Sequence, residues 1–188
     1  MKLLSILIPS IPVRTELLHR LLCILAPQVT PEVEILINMD SGAKTIGDKR
    51  NSLLRAAEGE YVSFIDDDDR VSEDYVKQLL AGIAQGVDVV SIRGLYFENG
   101  VQKGITLDKP YQAWRTIPGE GTLTFLRGVQ HLDAIRREIA QSVKFESRSF
   151  GEDSVFGKTI EMKFPNLTSH QIPTDVYFYY YDSRKPRR

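Results

Sequence analysis

The sequence has few of the residues that crosslink a chain. Its one cysteine, Cys23, excludes an internal disulfide and a paired-cysteine zinc site. Because Cys23 lies inside an apolar helical pattern over residues 17–25, we expect it to be a small core residue. A reducing, cytoplasmic location fits this cysteine content.

Long apolar runs are also missing. None approaches the ~20 residues that a membrane-spanning helix needs, so we expect no transmembrane segment, and any contact with the inner membrane surface would be peripheral. The apolar start at 3–8 is interrupted by Pro9 and Pro12 and is followed by no small-residue cleavage site, which argues against a signal peptide. We expect a buried first strand there instead.

Neither sign of charge is in excess. Lys and Arg total 24 against 25 for Asp and Glu, and the net charge of -1 gives no general attraction to nucleic acid or to an anionic membrane. A basic stretch at 184–188 could meet phosphates locally, yet the balanced total makes nucleic acid the less favoured acceptor. The sequence also lacks the spacing of a phosphate loop and of a Gly-x-Ser-x-Gly elbow.

What the first half does contain is an alternation of short apolar runs with helical patterns. Turn residues such as Pro, Gly and Asp bound these runs, which is typical of strands buried within a parallel sheet. The predicted strands are 3–8, 33–39, 61–65 and 87–92, and the predicted helices are 17–25, 48–57 and 76–83. With 42% hydrophobic residues in a chain of 188, this alternation predicts one α/β domain built on an open, mostly parallel sheet flanked by helices.

The second half has different signals. Asn99-Gly100 predicts a hairpin and therefore a small antiparallel part. Leu132, Ile135 and Ile139 recur at helical spacing and predict a helix. Two further predictions are a flexible glycine joint at 119–121 and an aromatic strand at 176–181.

Four aspartates, Asp66 to Asp69, follow the predicted strand 61–65 directly. In an open α/β sheet, ligands bind beyond the carboxyl ends of the strands. Four adjacent carboxylates repel one another, and a divalent cation would offset that repulsion. The alternative is a solvated acidic loop, or one that only caps the helix beginning near Ser72. The position at a strand end favours a Mn²⁺ or Mg²⁺ site that could also hold a diphosphate.

Residues 59–69, GEYVSFIDDDD, resemble the D-x-D segment of family 2 glycosyltransferases, which have the GT-A fold. Other segments resemble the same family and occur in the family's order, so that the resemblance covers positions 3 to about 160. They are Ile8-Pro9-Ser10 followed by Arg14, Asp40-Ser41, Asp48-Lys49-Arg50-Asn51, and Phe150-Gly151-Glu152-Asp153.

The resemblance implies a site for a nucleotide diphosphate sugar, with a uridine donor favoured. Asp40 would contact the nucleobase, and the backbone around Pro9 and Ser10 would help to hold the nucleoside. Arg14 would belong to the donor loop, and Arg50 would lie near the base or the phosphates. Residues 1–93 would then be the donor-binding half of the domain and 94–188 the acceptor and catalytic half.

The resemblance also implies the metal ligands. Asp68 would be the principal ligand of Mn²⁺ or Mg²⁺, and Asp66 would meet the metal or the ribose, with Asp67 beside the donor. Because Asp67 and Asp69 are acidic too, the register within the run stays open by one residue. His170 is the candidate for a further ligand, although a histidine at the surface or the edge of the core is the alternative.

For the chemistry, the resemblance implies a single displacement with inversion at the anomeric carbon. Asp153 would be the general base that deprotonates the acceptor hydroxyl of a glycan or another acceptor, and Glu152 would orient the acceptor or Asp153. An acidic helix start that only complements the helix dipole is the alternative for this pair. Trp114 would stack on the acceptor sugar or lie in the core. Arg184 or Lys185 in the basic tail could touch the diphosphate.

Two other functions also fit a metal site at a strand end. A nucleotidyltransferase would use similar aspartates, but residues 7–12 lack the Gly-rich loop that normally follows its first strand. A non-catalytic module that binds sugar nucleotides would not need Asp153. Its presence favours the enzyme.

Overall fold

The computed structural model describes residues 1–119 and 122–182. In this part of the chain the strands form two six-stranded sheets. The strands are β1 (Leu4–Ser10), β2 (Val33–Met39), β3 (Tyr61–Phe64), β4 (Arg70–Val71), β5 (Val89–Ser91), β6 (Arg93–Glu98), β7 (Val101–Asp108), β8 (Arg115–Pro118), β9 (Leu123–Arg127), β10 (Ala134–Arg136), β11 (Ser169–Gln171) and β12 (Tyr177–Tyr181). The helices are α1 (Thr15–Leu25), α2 (Ile46–Ala56), α3 (Tyr75–Ile83), α4 (Arg137–Gln141) and α5 (Glu152–Lys163).

The first sheet has the strand order β11-β5-β10-β3-β1-β2. All its pairs are parallel except those of β10, which runs antiparallel to both β3 and β5. The predicted α/β class with an open, mostly parallel sheet is therefore confirmed. The carboxyl ends of β1 and β3 lie side by side, with Leu7 in register with Phe64, and this brings the acidic run next to Ser10.

Helices cover both faces of this sheet, which explains why β1 is buried along its whole length. All seven residues of β1 are buried. Leu4, Ile6 and Ile8 pack in a cluster with residues of α1 and α3, whereas Leu7 packs on the other face with residues of α2 and α5. A strand covered on both faces has no solvent side, so polar residues do not alternate along it.

The second sheet is larger than the small antiparallel part that we predicted. Its order is β4-β12-β6-β7-β9-β8, with both parallel and antiparallel pairs. The predicted hairpin is confirmed, because Asn99 and Gly100 join β6 to β7 with φ values of 51° and 82°. The aromatic strand is also confirmed as β12, and it pairs with β4 directly beyond the acidic run.

The helix predicted from Leu132, Ile135 and Ile139 is wrong in its first half. Ala134–Arg136 is instead β10, and α4 begins only at Arg137. Ile135 is in register with Val62 of β3 on one side and Val89 of β5 on the other. The gap between two buried strands selects an extended conformation, and this packing overrides the local helical spacing.

Three further expectations have different outcomes. Cys23 is exposed on the outer face of α1, so the expectation of a core residue is wrong. Within the described ranges, no helix is long and apolar enough to cross a membrane. Part of the predicted joint at 119–121 lies outside the described residues. Arg184 and Lys185 also lie outside them.

The start of α5 carries Glu152 and Asp153, and a close backbone contact sets the position of this helix. Gly157 lies so near the loop between β9 and β10 that a Cβ atom on it would be 1.9 Å from the carbonyl oxygen of Val129. The helix can approach the loop this closely only because glycine has no side chain.

We expect Gly157→Ala to lower the free energy of unfolding by about 1–3 kcal/mol, since the added methyl group must push α5 away from Val129. In an open helix the same change would raise stability by roughly 1 kcal/mol, so the sign of the effect tests the contact. Chemical denaturation measures it, with Lys158→Ala at the next, exposed position as the control. A Gly157→Ala variant as stable as the wild type would contradict the close packing.

Candidate active site

A cleft of about 1000 Å³ lies at the carboxyl ends of β1 and β3. The start of α5 and the residues of β12 border it on the other sides. The predicted site residues that line it are Pro9, Ser10, Arg14, Arg50, Asp66, Asp67, Asp68, Glu152 and Asp153. Segments more than a hundred residues apart in sequence therefore meet in one place.

Two predicted residues do not line the cleft. Asp40 lies beside the lining residue Lys49, whose Nζ forms an ion pair with Asp40 Oδ1 at 2.8 Å, and Asp40 Oδ2 accepts a hydrogen bond from the Lys44 backbone N–H at 2.8 Å. The interaction with Lys49 is the main cause that lowers the pKa of Asp40 to about 2. His170 lies in β11, at the edge of the first sheet and separated from β3 by β5 and β10. The structure does not bring His170 to the acidic run.

Two of the four adjacent aspartates are held by the protein itself. Asp67 is buried and accepts hydrogen bonds from Ser10 Oγ at 2.6 Å and Arg14 Nη1 at 2.7 Å. Asp69 is buried on the other side, where Tyr177 Oη donates at 2.6 Å and the Tyr180 backbone N–H at 2.9 Å. Burial, with the neighbouring carboxylates, raises the pKa of Asp69 well above its usual value. Asp67 and Asp69 thus attach the acidic run to β1 and β12.

The other two aspartates, Asp66 and Asp68, keep 25% and 33% of their side chains exposed, and both line the cleft. Burial opposes the ionisation of Asp66, but the charge of Arg50, 2.8 Å away, outweighs it and lowers the pKa of Asp66 below the usual range. For Asp68, burial and the two preceding carboxylates raise the pKa, although Arg14 lies 3.1 Å away and opposes this.

A cation at Asp68 would offset this repulsion. In the ranges 1–119 and 122–182, no three His, Cys, Asp or Glu side chains converge as a ready-made metal site. Mg²⁺ and Mn²⁺ commonly use one or two protein carboxylates and take their remaining oxygens from water and phosphates. The residues present therefore fit a metal that the diphosphate of a ligand helps to coordinate.

Arg50 connects this acidic run to α5. Its guanidinium is buried, and Nη1 donates to Glu152 Oε1 in a close ion pair. Nη2 donates to Asp66 Oδ1 at 2.8 Å and also contacts His131 Nε2 at 2.9 Å. Glu152 is itself buried, which raises its pKa although the charge of Arg50 opposes this. Glu152 thus serves as a buried counter-charge rather than as a group open to solvent.

Asp153, one residue further along α5, is open to the cleft with 34% of its side chain exposed. Its Oδ1 accepts a hydrogen bond from the Ser154 backbone N–H at 2.8 Å. Gly151, with a φ of 73°, makes the turn that starts the helix at this point. Trp114 is 56% exposed and lines both the cleft and an adjoining cavity of about 210 Å³, which excludes the core position.

Sequence reasoning missed His131. It lies in the loop between β9 and β10, and its carbonyl oxygen accepts the N–H of Phe64 at 3.0 Å, which holds it beside the end of β3. The ring Nδ1 is 4.0 Å from Asp153 Oδ2. No motif surrounds His131 in the sequence, so only the sheet that joins β10 to β3 reveals its place in the site.

An acidic loop at the end of a central strand, facing an acidic helix start across one cleft, is the arrangement of a GT-A type enzyme. The family model for glycosyl transferase family 2 matches residues 34–144, and the chain belongs to this family of glycosyltransferases. No curated protein sequence matches the chain significantly.

Solved structures support the fold. The S. aureus TarS fragment 1–349 superimposes with a TM-score of 0.71, at 20% identity, over 96% of this chain and 60% of that chain. The same fragment in complex with UDP-GlcNAc gives a TM-score of 0.70, at 20% identity, over 100% of this chain and 60% of that chain. The present chain thus spans three fifths of the length of that fragment.

Removal of the buried cation should leave two carboxylates uncompensated. We expect Arg50→Met to lower the free energy of unfolding at neutral pH by about 3–5 kcal/mol. Without Arg50, burial would raise the pKa of Asp66 and of Glu152 above their values in the unfolded chain. The loss of stability is then largest at neutral pH and becomes smaller as both groups protonate. The difference in free energy of unfolding between the wild type and Arg50→Met should therefore be smaller near pH 5 than at neutral pH.

Urea denaturation at both pH values measures this difference. Arg55→Met, at the exposed end of the same helix, is the matched control and should change stability little at either pH. A difference in free energy of unfolding that stays constant or grows on acidification would show that Arg50 does not neutralise these carboxylates.

Proposed function

We propose that this protein transfers a sugar from a nucleotide diphosphate donor to an acceptor hydroxyl, with inversion and with help from Mn²⁺ or Mg²⁺. The observation that carries the proposal is the pair of open carboxylates in one cleft, Asp68 at the end of β3 and Asp153 at the start of α5. Membership of family 2 supports the reaction class. TarS structures with UDP and UDP-GlcNAc favour a uridine donor for this chain as well.

The donor would enter the cleft over the ends of β1 and β2. Asp40 is ionised and held by Lys49, so it can accept a hydrogen bond from a nucleobase N–H at the rim of the cleft. Lys49 Nζ also donates to the Ser10 carbonyl at 2.9 Å, which couples the base site to the backbone of Pro9 and Ser10. Arg14, already beside Asp67 and Asp68, would lie next to the diphosphate.

Asp68, together with Asp66, would hold the metal on the diphosphate. When bound, the metal would offset negative charge that develops on the departing nucleotide diphosphate. Because Asp67 and Asp69 are buried against protein donors whereas Asp66 and Asp68 stay partly exposed in the cleft, the alternation along the run supports the register Asp66-x-Asp68. His170 has no part in this proposal because it lies in β11, outside the cleft.

The transfer step would use Asp153 as the general base. Its carboxylate takes the proton of the acceptor hydroxyl as the hydroxyl oxygen attacks the anomeric carbon, and the bond from that carbon to the diphosphate oxygen breaks on the opposite face. Glu152 would not exchange protons, because it is buried against Arg50. Its role would be to hold Arg50 and the first turn of α5.

The acceptor would approach from the side of α5. Trp114 is exposed there and lies between the cleft and the smaller cavity, so its ring can stack on a sugar of the acceptor. A glycan hydroxyl is therefore the favoured acceptor. On this proposal, residues 1–93 bind the donor and residues 94–188 bind the acceptor and supply the base within one domain.

The metal role of Asp68 makes a prediction about donor binding. We expect Asp68→Ala to weaken UDP binding roughly 10-fold or more when Mn²⁺ is present, as for the loss of other groups that support a metal. With a chelator the two proteins should bind UDP alike. Calorimetric titration measures both affinities, and the exposed Glu73→Gln removes one charge nearby as the control. Equal affinities in the presence of Mn²⁺ would remove Asp68 from the metal site.

The base role of Asp153 makes a prediction about rate. We expect Asp153→Asn to slow the release of UDP from UDP-sugars by about 10²–10⁴-fold, the usual contribution of a general base. UDP affinity should stay unchanged, since Asp153 does not touch the leaving group in this proposal. A coupled assay over several UDP-sugars with Mn²⁺ measures UDP release, with Glu73→Gln as the control. An Asp153→Asn enzyme with the wild-type rate would contradict the assignment.

A further inference from the structure

The contacts of His131 determine which of its ring nitrogens carries the proton. Arg50 Nη2 lies 2.9 Å from His131 Nε2 and 2.8 Å from Asp66 Oδ1, so its two N–H groups have one partner each. A guanidinium can only donate hydrogen bonds. Nε2 must therefore be the acceptor, and in the neutral ring the proton lies on Nδ1.

That Nδ1–H group has no hydrogen-bond acceptor among the described residues. The Nδ1 atom is nevertheless buried. The carboxylate oxygen paired with it at longer range is Asp153 Oδ2, at 4.0 Å. A buried donor without a partner costs free energy, so a small movement of Asp153 toward the ring would be favourable.

The ring itself has little freedom to move away. His131 is buried, and its ring packs against Phe64 with 6.1 Å between the ring centroids. Its backbone carbonyl accepts the Phe64 N–H at 3.0 Å, which attaches the loop to β3. Asp153, in contrast, is one third exposed on the first turn of α5. Of the two groups, Asp153 is therefore the one that can adjust.

We propose that His131 is a positioning residue for Asp153, with Arg50 holding its ring in the Nδ1–H tautomer. When the acceptor hydroxyl enters the cleft, the Nδ1–H group donates to Asp153 Oδ2 and turns the carboxylate toward that hydroxyl. Arg50 also contacts Asp66, so the same guanidinium connects the residue that positions the base to the donor-binding loop. The catalytic consequence rests on the function proposed above, but the tautomer and the contact do not.

Nitrogen NMR tests the tautomer without any activity. The sequence has three histidines, so labelling with ¹⁵N-histidine gives few signals, and His131→Asn identifies the signals of His131 by their loss. We expect the pattern of a ring that is protonated on Nδ1 and unprotonated on Nε2. Protonation on Nε2, or on both nitrogens, would overturn the proposal.

The same spectra test the contact with Asp153. Asp153→Asn should shift the Nδ1 resonance of His131 and leave the resonances of His19 and His170 in place. An unchanged Nδ1 resonance would show that the ring does not sense this carboxylate, and it would overturn the proposal whether or not the enzyme turns over.

Two matched variants test the catalytic consequence. Asn places its amide nitrogen near the position of Nδ1, whereas Gln places it near Nε2, so His131→Asn retains the donor toward Asp153 and His131→Gln does not. We expect kcat for UDP release from UDP-GlcNAc to fall roughly 10-fold or more in the Gln variant, with KM unchanged, and to stay close to the wild type in the Asn variant.

Other outcomes count against the role. Equal losses in both variants, or a loss that follows a lowered melting temperature, would make His131 merely structural. Wild-type kcat in the Gln variant would overturn the positioning role as well. A wild-type enzyme that releases no UDP from any UDP-sugar would instead refute the proposed function, and the NMR measurements would still decide the tautomer and the contact.

Discussion

The buried cation Arg50 connects three separate segments of the candidate site. Its guanidinium contacts Asp66 at the end of β3, Glu152 at the start of α5 and His131 in the loop before β10. A buried charge is tolerated only when it is paired and hydrogen-bonded. The three segments that meet at Arg50 therefore have to stay together, and this holds Asp153, the neighbour of Glu152, in the cleft.

The acidic run solves a related electrostatic problem. Four adjacent carboxylates would destabilise a loop, yet each of them has a different environment. Asp67 is clamped by Ser10 and Arg14, and Asp69 is clamped by Tyr177, so these two attach the loop to both sheets. Asp66 and Asp68 alternate with them, keep part of their side chains exposed and face the cleft, where a ligand can reach them.

Local sequence patterns were sufficient to predict an element where turn residues mark both of its ends. β2 begins and ends at Val33 and Met39, as predicted, because each turn signal there coincides with the end of the apolar run. Local patterns were insufficient where packing against other elements determines the conformation or the burial of a residue. Ile135 fits a helical spacing but lies in a strand between β3 and β5, and Cys23 belongs to an apolar pattern but lies outside the stripe of α1 that packs on the sheet.

The sequence by itself determined the α/β class, the acidic run at the end of β3 and the acidic start of α5, because each follows from a pattern of residues that are close together in the sequence. Only the tertiary structure decided which aspartates are buried against protein donors and which stay partly exposed, that His170 lies away from the cleft, and that His131 lies beside Arg50 and Asp66. Those outcomes depend on hydrogen bonds and ion pairs between groups separated by roughly fifty to more than a hundred positions. Such contacts exist only after the chain has folded, so no local pattern encodes them.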